Sequence, residues 1–163
     1  MADTFTKIET IIVGSGGQAG IEFTSIPQTY KDLLIKFSGR NVNNVYTFSI
    51  SINGTTITDS RRLFGTGSGN ASTDTFNGMY TNYSGSAAGT FGNADIYILN
   101  YSSNIYKAIS VDAVAEDNYS SAYMNLGALL ASTTSSVSSV GLIPESGNFA
   151  QYSIATLYGI KSA

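Results

Sequence analysis

Apolar and polar residues alternate with period two along most of this chain, and clusters of Gly, Asn and Ser cut the alternation at short intervals. Such a pattern turns one face of a pleated strand toward a core and the other toward solvent. Residues 5–13 are rich in Thr and Ile and stop at Gly14-Ser15-Gly16-Gly17, a turn or loop signal. Ile21 and Phe23 alternate with Glu22 and Thr24 until Pro27 ends the segment. Leu33, Ile35 and Phe37 then alternate with Leu34, Lys36 and Ser38. The spacing of Tyr30, Leu33, Leu34 and Phe37 also fits a helix, but the β-branched neighbours and the Gly39 stop favour a strand.

Residues 45–53 give the clearest strand, with Tyr46, Phe48, Ile50 and Ile52 on one face and Thr47, Ser49 and Ser51 on the other. Asn53-Gly54 follows, the dipeptide best suited to the positive φ angles of a two-residue hairpin turn, and residues 55–58 return as the partner strand. Residues 65–92 are the loosest stretch, glycine-rich and interrupted by the aromatics Phe76, Tyr80, Tyr83 and Phe91. Long loops of this kind either tuck over a sheet or form a contact surface. Residues 94–101 and 105–115 predict a second hairpin through Ser102-Ser103-Asn104. Residues 122–131 are apolar and fit strand or helix, with Gly127 weakening the helix. Residues 137–143 and 152–160 close the chain. Nine or ten short strands without helix-sized inserts predict an all-β fold: an antiparallel β-sandwich, jelly-roll-like, as one domain over residues 1–163.

Composition narrows the chemistry. The 163 residues include no His, Cys or Trp, and 12% are charged, about half the usual share for a soluble domain. The groups most used for proton transfer near neutral pH, for thiolate chemistry and for transition-metal binding are therefore missing. No enzyme activity, cofactor or metal is expected. A net charge of −3 with one adjacent basic pair, Arg61-Arg62, argues against nucleic acid as a partner. That pair reads as solvated or salt-bridged to a neighbour. No apolar run approaches ~20 residues, so no membrane span is expected. The polar, acidic start is unlike a secretory signal and points to synthesis in a cytoplasm. With so few charges, solubility rests on hydroxyls and amides, or partners cover part of the surface.

Two motif-like features carry less than their form suggests. Ile11-Ile12-Val13-Gly14-Ser15-Gly16-Gly17-Gln18-Ala19 matches a strand followed by the glycine pattern of a dinucleotide-binding turn. That chemistry needs a helix N-terminus facing the pyrophosphate, and Gly20, a strand-like run and Pro27 leave no room for it. Asp112, Glu116 and Asp117 lie close in sequence, but nothing brings a partner carboxylate opposite them as a glycosidase requires, and they lack the spacing of a calcium loop. Solvated turn acids are the simpler reading. The recurrence of Asn-Tyr-Ser, with Tyr106 and Tyr123 nearby, matches both adaptable binding surfaces and ordinary sheet packing.

Residues 20–33, GIEFTSIPQTYKDL, resemble a stretch common in small β-rich virion proteins of tailed phages, including cyanophages, and residues 147–161, GNFAQYSIATLYGIK, resemble the closing segment of the same proteins. Asn53-Gly54 with Ser60-Arg61 and Leu63 is similar to their middle region, while residues 65–92 match in composition alone. The resemblance implies a jelly-roll-like sandwich, often trimeric, in a phage head or tail, and transfers no catalytic residue. It points to a capsid decoration (cement) protein whose partners are the major capsid protein and itself. The alternative is a tail fibre or spike module binding a host receptor or glycan, with Tyr80, Tyr83, Tyr119 and Tyr123 stacking on sugars. An N-terminal arm of about residues 1–7 is expected to extend beyond the fold and dock. The expected partner contacts are Phe5 and Lys7 of the arm and Phe76, Tyr80, Tyr83 and Phe91 of the glycine-rich stretch.

Overall fold

A computed structural model describes residues 4–66, 71–75, 77–116 and 122–161. Within them the chain forms β1 (Phe5–Ile12), β2 (Ile21–Phe23), β3 (Asp32–Gly39), β4 (Thr47–Ile52), β5 (Thr55–Thr56), β6 (Asp59–Gly65), β7 (Ser72–Asp74), β8 (Met79–Tyr80), β9 (Gly92–Ile98), β10 (Lys107–Ala115), β11 (Tyr123–Ala131), β12 (Val140–Pro144) and β13 (Ile154–Ile160). No described residue is helical. All strand pairings are antiparallel. One sheet has eight strands in the order β1-β13-β3-β9-β10-β11-β6-β7; the other runs β2-β12-β4-β5, with β8 pairing the opposite end of β4.

The period-two pattern explains how the two sheets pack. Leu33, Ile35 and Phe37 of β3, Ala94, Ile96 and Ile98 of β9, and Ile109, Val111 and Ala113 of β10 turn inward from the larger sheet. Phe48, Ile50 and Ile52 of β4, Val140 and Leu142 of β12, and Ile21 and Phe23 of β2 meet them from the smaller one, and all belong to a single buried cluster. The Phe37 ring stands edge-on to Phe48 at 5.0 Å and to Phe149 at 5.2 Å, joining the layers at their centre. Each large apolar side chain fully buried here stabilises the sandwich by about 1.5–3 kcal/mol relative to exposure.

The turns follow from the residues that make them. Asn53 and Gly54 both take positive φ, 50° and 77°, and set Ser51 opposite Thr56 and Ile52 opposite Thr55, the hairpin that Asn-Gly predicts. After β1 the glycine-rich loop turns through left-handed Gly16 and Gly17, Gln18 bridges Phe149, and the chain enters β2. A strand, not a helix, follows those glycines, so the dinucleotide-turn geometry is absent.

Four expectations change. Phe5, Thr6 and Lys7 do not extend beyond the fold: they open β1 and pair with Ile160, Gly159 and Tyr158, because Lys161 N–H bonds back to the Thr4 carbonyl and zips the edge closed. The Ala2-Asp3 part of the expected arm lies outside the described residues. The stretch 65–92 holds β7 and β8 and reaches the start of β9 rather than forming one loose loop. Thr47 and Ser51, expected on a polar outer face, are buried, the first beside Glu145 and the second against Gly141. The connection after β9 is longer than Ser102-Ser103-Asn104: it tucks Tyr101 into the core, where its hydroxyl donates to the Pro27 carbonyl. Residues 122–131 settle as β11, held along their length by β10.

Candidate functional site

The outward face of the larger sheet is not covered by the second layer, and across β10, β11 and β6 it carries an apolar ridge. Strand alternation that buries Leu129 and Ala131 of β11 necessarily turns Met124, Leu126, Ala128 and Leu130 outward. Cross-strand register then places Val114 of β10 beside Met124 and Leu63 of β6 beside Leu126. Met124 is 60% exposed, Leu126 54%, Leu63 45% and Leu130 40%. Charges flank this ridge: Asp112 stands opposite Leu126, and Arg61 stands opposite Ala128. Toward the centre of the same face, Lys36 pairs with Asp95, a solvated ion pair of small energetic weight. Phe5 and Lys7 share this outward face at its far edge, in register with Ile160 and Tyr158, and Phe5 is exposed. An exposed, contiguous set of large apolar side chains marks a contact surface.

On the inward side, the larger sheet overhangs the smaller one, and a tyrosine cluster fills the step. Tyr123 and Tyr80 stack at 4.5 Å, Tyr46 lies parallel to Tyr123 at 5.3 Å, and Tyr83 meets Tyr46 edge-on at 5.7 Å. The Arg62 guanidinium lies 4.6 Å from the Tyr80 ring and 4.8 Å from that of Phe64. It is held in a two-pronged pair with Asp74, at 2.7 Å and 3.1 Å, and donates to the Gly78 carbonyl at 2.7 Å. Burial raises the Tyr80 phenol above its usual pKa, against the opposing pull of Arg62. Two neighbours set the cluster: Asn125 accepts the Tyr80 N–H at 3.0 Å, and Gly127 lets β8 approach, since a Cβ there would sit 2.8 Å from Met79 Sδ.

The segment that carries Tyr46 is held from behind. The buried Asn41 amide donates to the Val45 and Thr47 carbonyls, and Thr81 N–H bonds to the Tyr46 carbonyl at 2.8 Å. Tyr46 remains 40% exposed. With Asn44, Thr47, Arg62, Tyr80 and Glu145 it lines a cleft of about 400 Å³. Thr47 Oγ1 donates to one Glu145 carboxylate oxygen. The turn that follows Tyr83 is pinned by Arg40, whose guanidinium donates to the carbonyls of Ser86, Ala87 and Thr90.

The expected contact residues thus fall in three places. Tyr80 and Tyr83 come together in the tyrosine cluster, Phe5 and Lys7 lie at the edge of the outward face, and Phe91 is half-buried at the entry to β9. Phe76, Asp117 and Tyr119 lie outside the described residues. Of the basic pair, Arg61 is exposed and donates to the Ser60 carbonyl, whereas Arg62 is buried and salt-bridged. Asp112 stands exposed on the outward face and Glu116 follows the end of β10. Among the described residues no three His, Cys, Asp or Glu side chains gather as metal ligands. Sequence reasoning missed Tyr46, Phe64, Asn125 and Glu145 as one group. Tyr46 carried a signal, being in phase with Phe48 and Ile50 yet one residue ahead of the strand. Comparison with known proteins finds no match among family models, curated proteins or solved structures.

Proposed function

We propose that this chain is a non-catalytic structural protein of a tailed-phage virion, a decoration protein that docks on the head and stabilises contacts between capsid subunits. The observation that carries this reading is the open outward face, with Leu63, Val114, Met124, Leu126 and Leu130 presented on a rigid eight-stranded sheet. A rigid apolar ridge of this kind gives up large contact area to water-free packing against another protein, with the charges beside it left for the rim. Many such weak contacts repeated over a shell multiply through valency. The resemblance of residues 20–33 and 147–161 to phage virion proteins supports the setting, and assembly would take place in the host cytoplasm. Self-association as a trimer rests on that resemblance.

The connectivity is read here as a jelly roll. Four strands of the larger sheet run β1-β13-β3-β9, and the smaller runs β2-β12-β4 with β8 on β4, the alternation that two Greek keys produce. On this reading β5, β6, β7, β10 and β11 are additions; four of them widen the larger sheet, and three of those four, β6, β10 and β11, build the apolar face. Jelly rolls serve viral shells and lectins alike, so the open face and not the fold favours docking. Cryo-electron microscopy of the virion tests the proposal: density for this chain should lie on the head, with β6, β10 and β11 against capsid subunits. Density confined to the tail, over a bare head, would reject it.

A second reading, a tail fibre or spike module that binds a host receptor or glycan, is favoured by the tyrosine cleft. Purified protein should then compete with phage for adsorption to host cells.

A further inference from the structure

We propose that the cleft at Tyr46 is a binding site for one uncharged hexopyranose unit. The inference rests on the second reading above and specifies its ligand. An aromatic ring that is to stack on a sugar must be exposed and already ordered. Tyr46 meets both conditions: it is 40% exposed, and the Tyr123, Tyr80 and Tyr83 rings pack against it. Its backbone is fixed by the buried Asn41 amide. Little ordering would accompany binding, which favours a small ligand with few contacts.

The polar groups around that ring select the chemistry. Thr47 occupies one oxygen of Glu145, the other makes no hydrogen bond among the described residues, and the residue lines a cleft with room for a single ring. A carboxylate beside an aromatic platform accepts hydrogen bonds from vicinal hydroxyls. Asn44 lines the same cleft and brings an amide that can both donate and accept. The cation at the back of the cleft, Arg62, is already matched by Asp74 in a two-pronged pair. With Arg62 matched and Glu145 at the mouth, the cleft repels uronic and sialic acids and admits neutral sugars. The rings lie too close together, at 4.5–5.7 Å, to open as a cage around a quaternary ammonium.

The test titrates the full chain with the methyl glycosides of glucose, galactose, mannose and glucuronic acid, read by saturation-transfer NMR. Tyrosine emission gives a second signal that no Trp obscures. At least one neutral glycoside should bind at millimolar concentration, with the glucuronide binding more weakly. Tyr46→Ala should weaken the neutral sugar about tenfold. Glu145→Gln should narrow the preference over the glucuronide, while Tyr152→Ala, at an exposed turn, should change nothing. The site is overturned if no neutral glycoside binds, if Tyr46→Ala binds as wild type does, or if the glucuronide binds equally well to the unaltered chain. Host adsorption separates this inference from the reading beneath it. Competition that survives Tyr46→Ala sinks the sugar site and spares the receptor module; sugar binding without competition does the reverse.

Discussion

Tyr97 and Asp32 show how a single outward residue can secure a sheet this poor in charge. Tyr97 donates to Asp32 Oδ2 at 2.6 Å, and the nearly buried carboxylate also accepts the Asn100 N–H at 2.7 Å. The hydrogen bond to Asp32, with burial, lifts the Tyr97 phenol from 10.0 to about 12. A pKa raised on folding adds stability that is complete below pH 10 and is lost as pH rises toward 12. Tyr97→Phe should cost about 1.5 kcal/mol near neutrality, the lower end for a hydrogen bond to a charged group, because the phenol is partly open to solvent. Thermal melts should show its gap from wild type closing through that alkaline window; a gap independent of pH would contradict the assignment. Asp74→Asn is the harsher change, because it removes the carboxylate that pairs with the buried Arg62 guanidinium. It should destabilise by about 3 kcal/mol, the lower end for a broken buried pair, since Asp74 is itself one-third exposed. Urea unfolding measures it. Neither pairing was legible beforehand: Asp32 reaches Tyr97 only across the β3–β9 ladder, and Asp74 meets Arg62 only because β7 folds back on β6. Arg61-Arg62 could be read as solvated or paired, and strand alternation, invisible in a dipeptide, sends one outward and the other inward.

At the scale of elements, the alternation in β3, β4, β9 and β10 and the Asn53-Gly54 turn were readable because each rests on local chemistry that burial then reinforces. The tyrosine cleft was not, since its residues come from four segments that meet only where the larger sheet overhangs the smaller. β11 was ambiguous for a physical reason: its Ala and Leu residues suit a helix as well as a strand, and partners on both edges decide. Gly127, which argued against a helix, has its own task as the gap through which Met79 and β8 approach the larger sheet. Gly127→Val should overpack that contact and cost about 1–3 kcal/mol. Ala128→Val, one residue on and facing outward, should stay within about 0.5 kcal/mol of wild type. Equal melting of the two variants would mean that β8 does not pack as described. The edge strand β1 gives the opposite lesson. Its first residues looked like a free arm by position, yet they pair with β13 because an unpaired edge would leave that strand's N–H and C=O groups open.

Taken whole, the molecule is two unequal sheets around one core, with the excess width of the larger sheet creating both candidate surfaces. Its outward side offers an apolar ridge, and its inward overhang shelters the tyrosines. The class of fold could be read from strand spacing alone, but which strands would widen one sheet could not, because β6 and β7 join β10 and β11 from a distant part of the chain. A face that serves docking contributes little to folding, so its residues can be changed without unfolding the protein. The most direct test of the account is co-sedimentation of purified chain with empty phage heads, comparing wild type with the double variant Leu63→Lys, Leu126→Glu. Wild type should saturate the heads, and the variant, melting as wild type does, should bind at least about tenfold more weakly. Heads decorated equally by both proteins, or by neither, would contradict it.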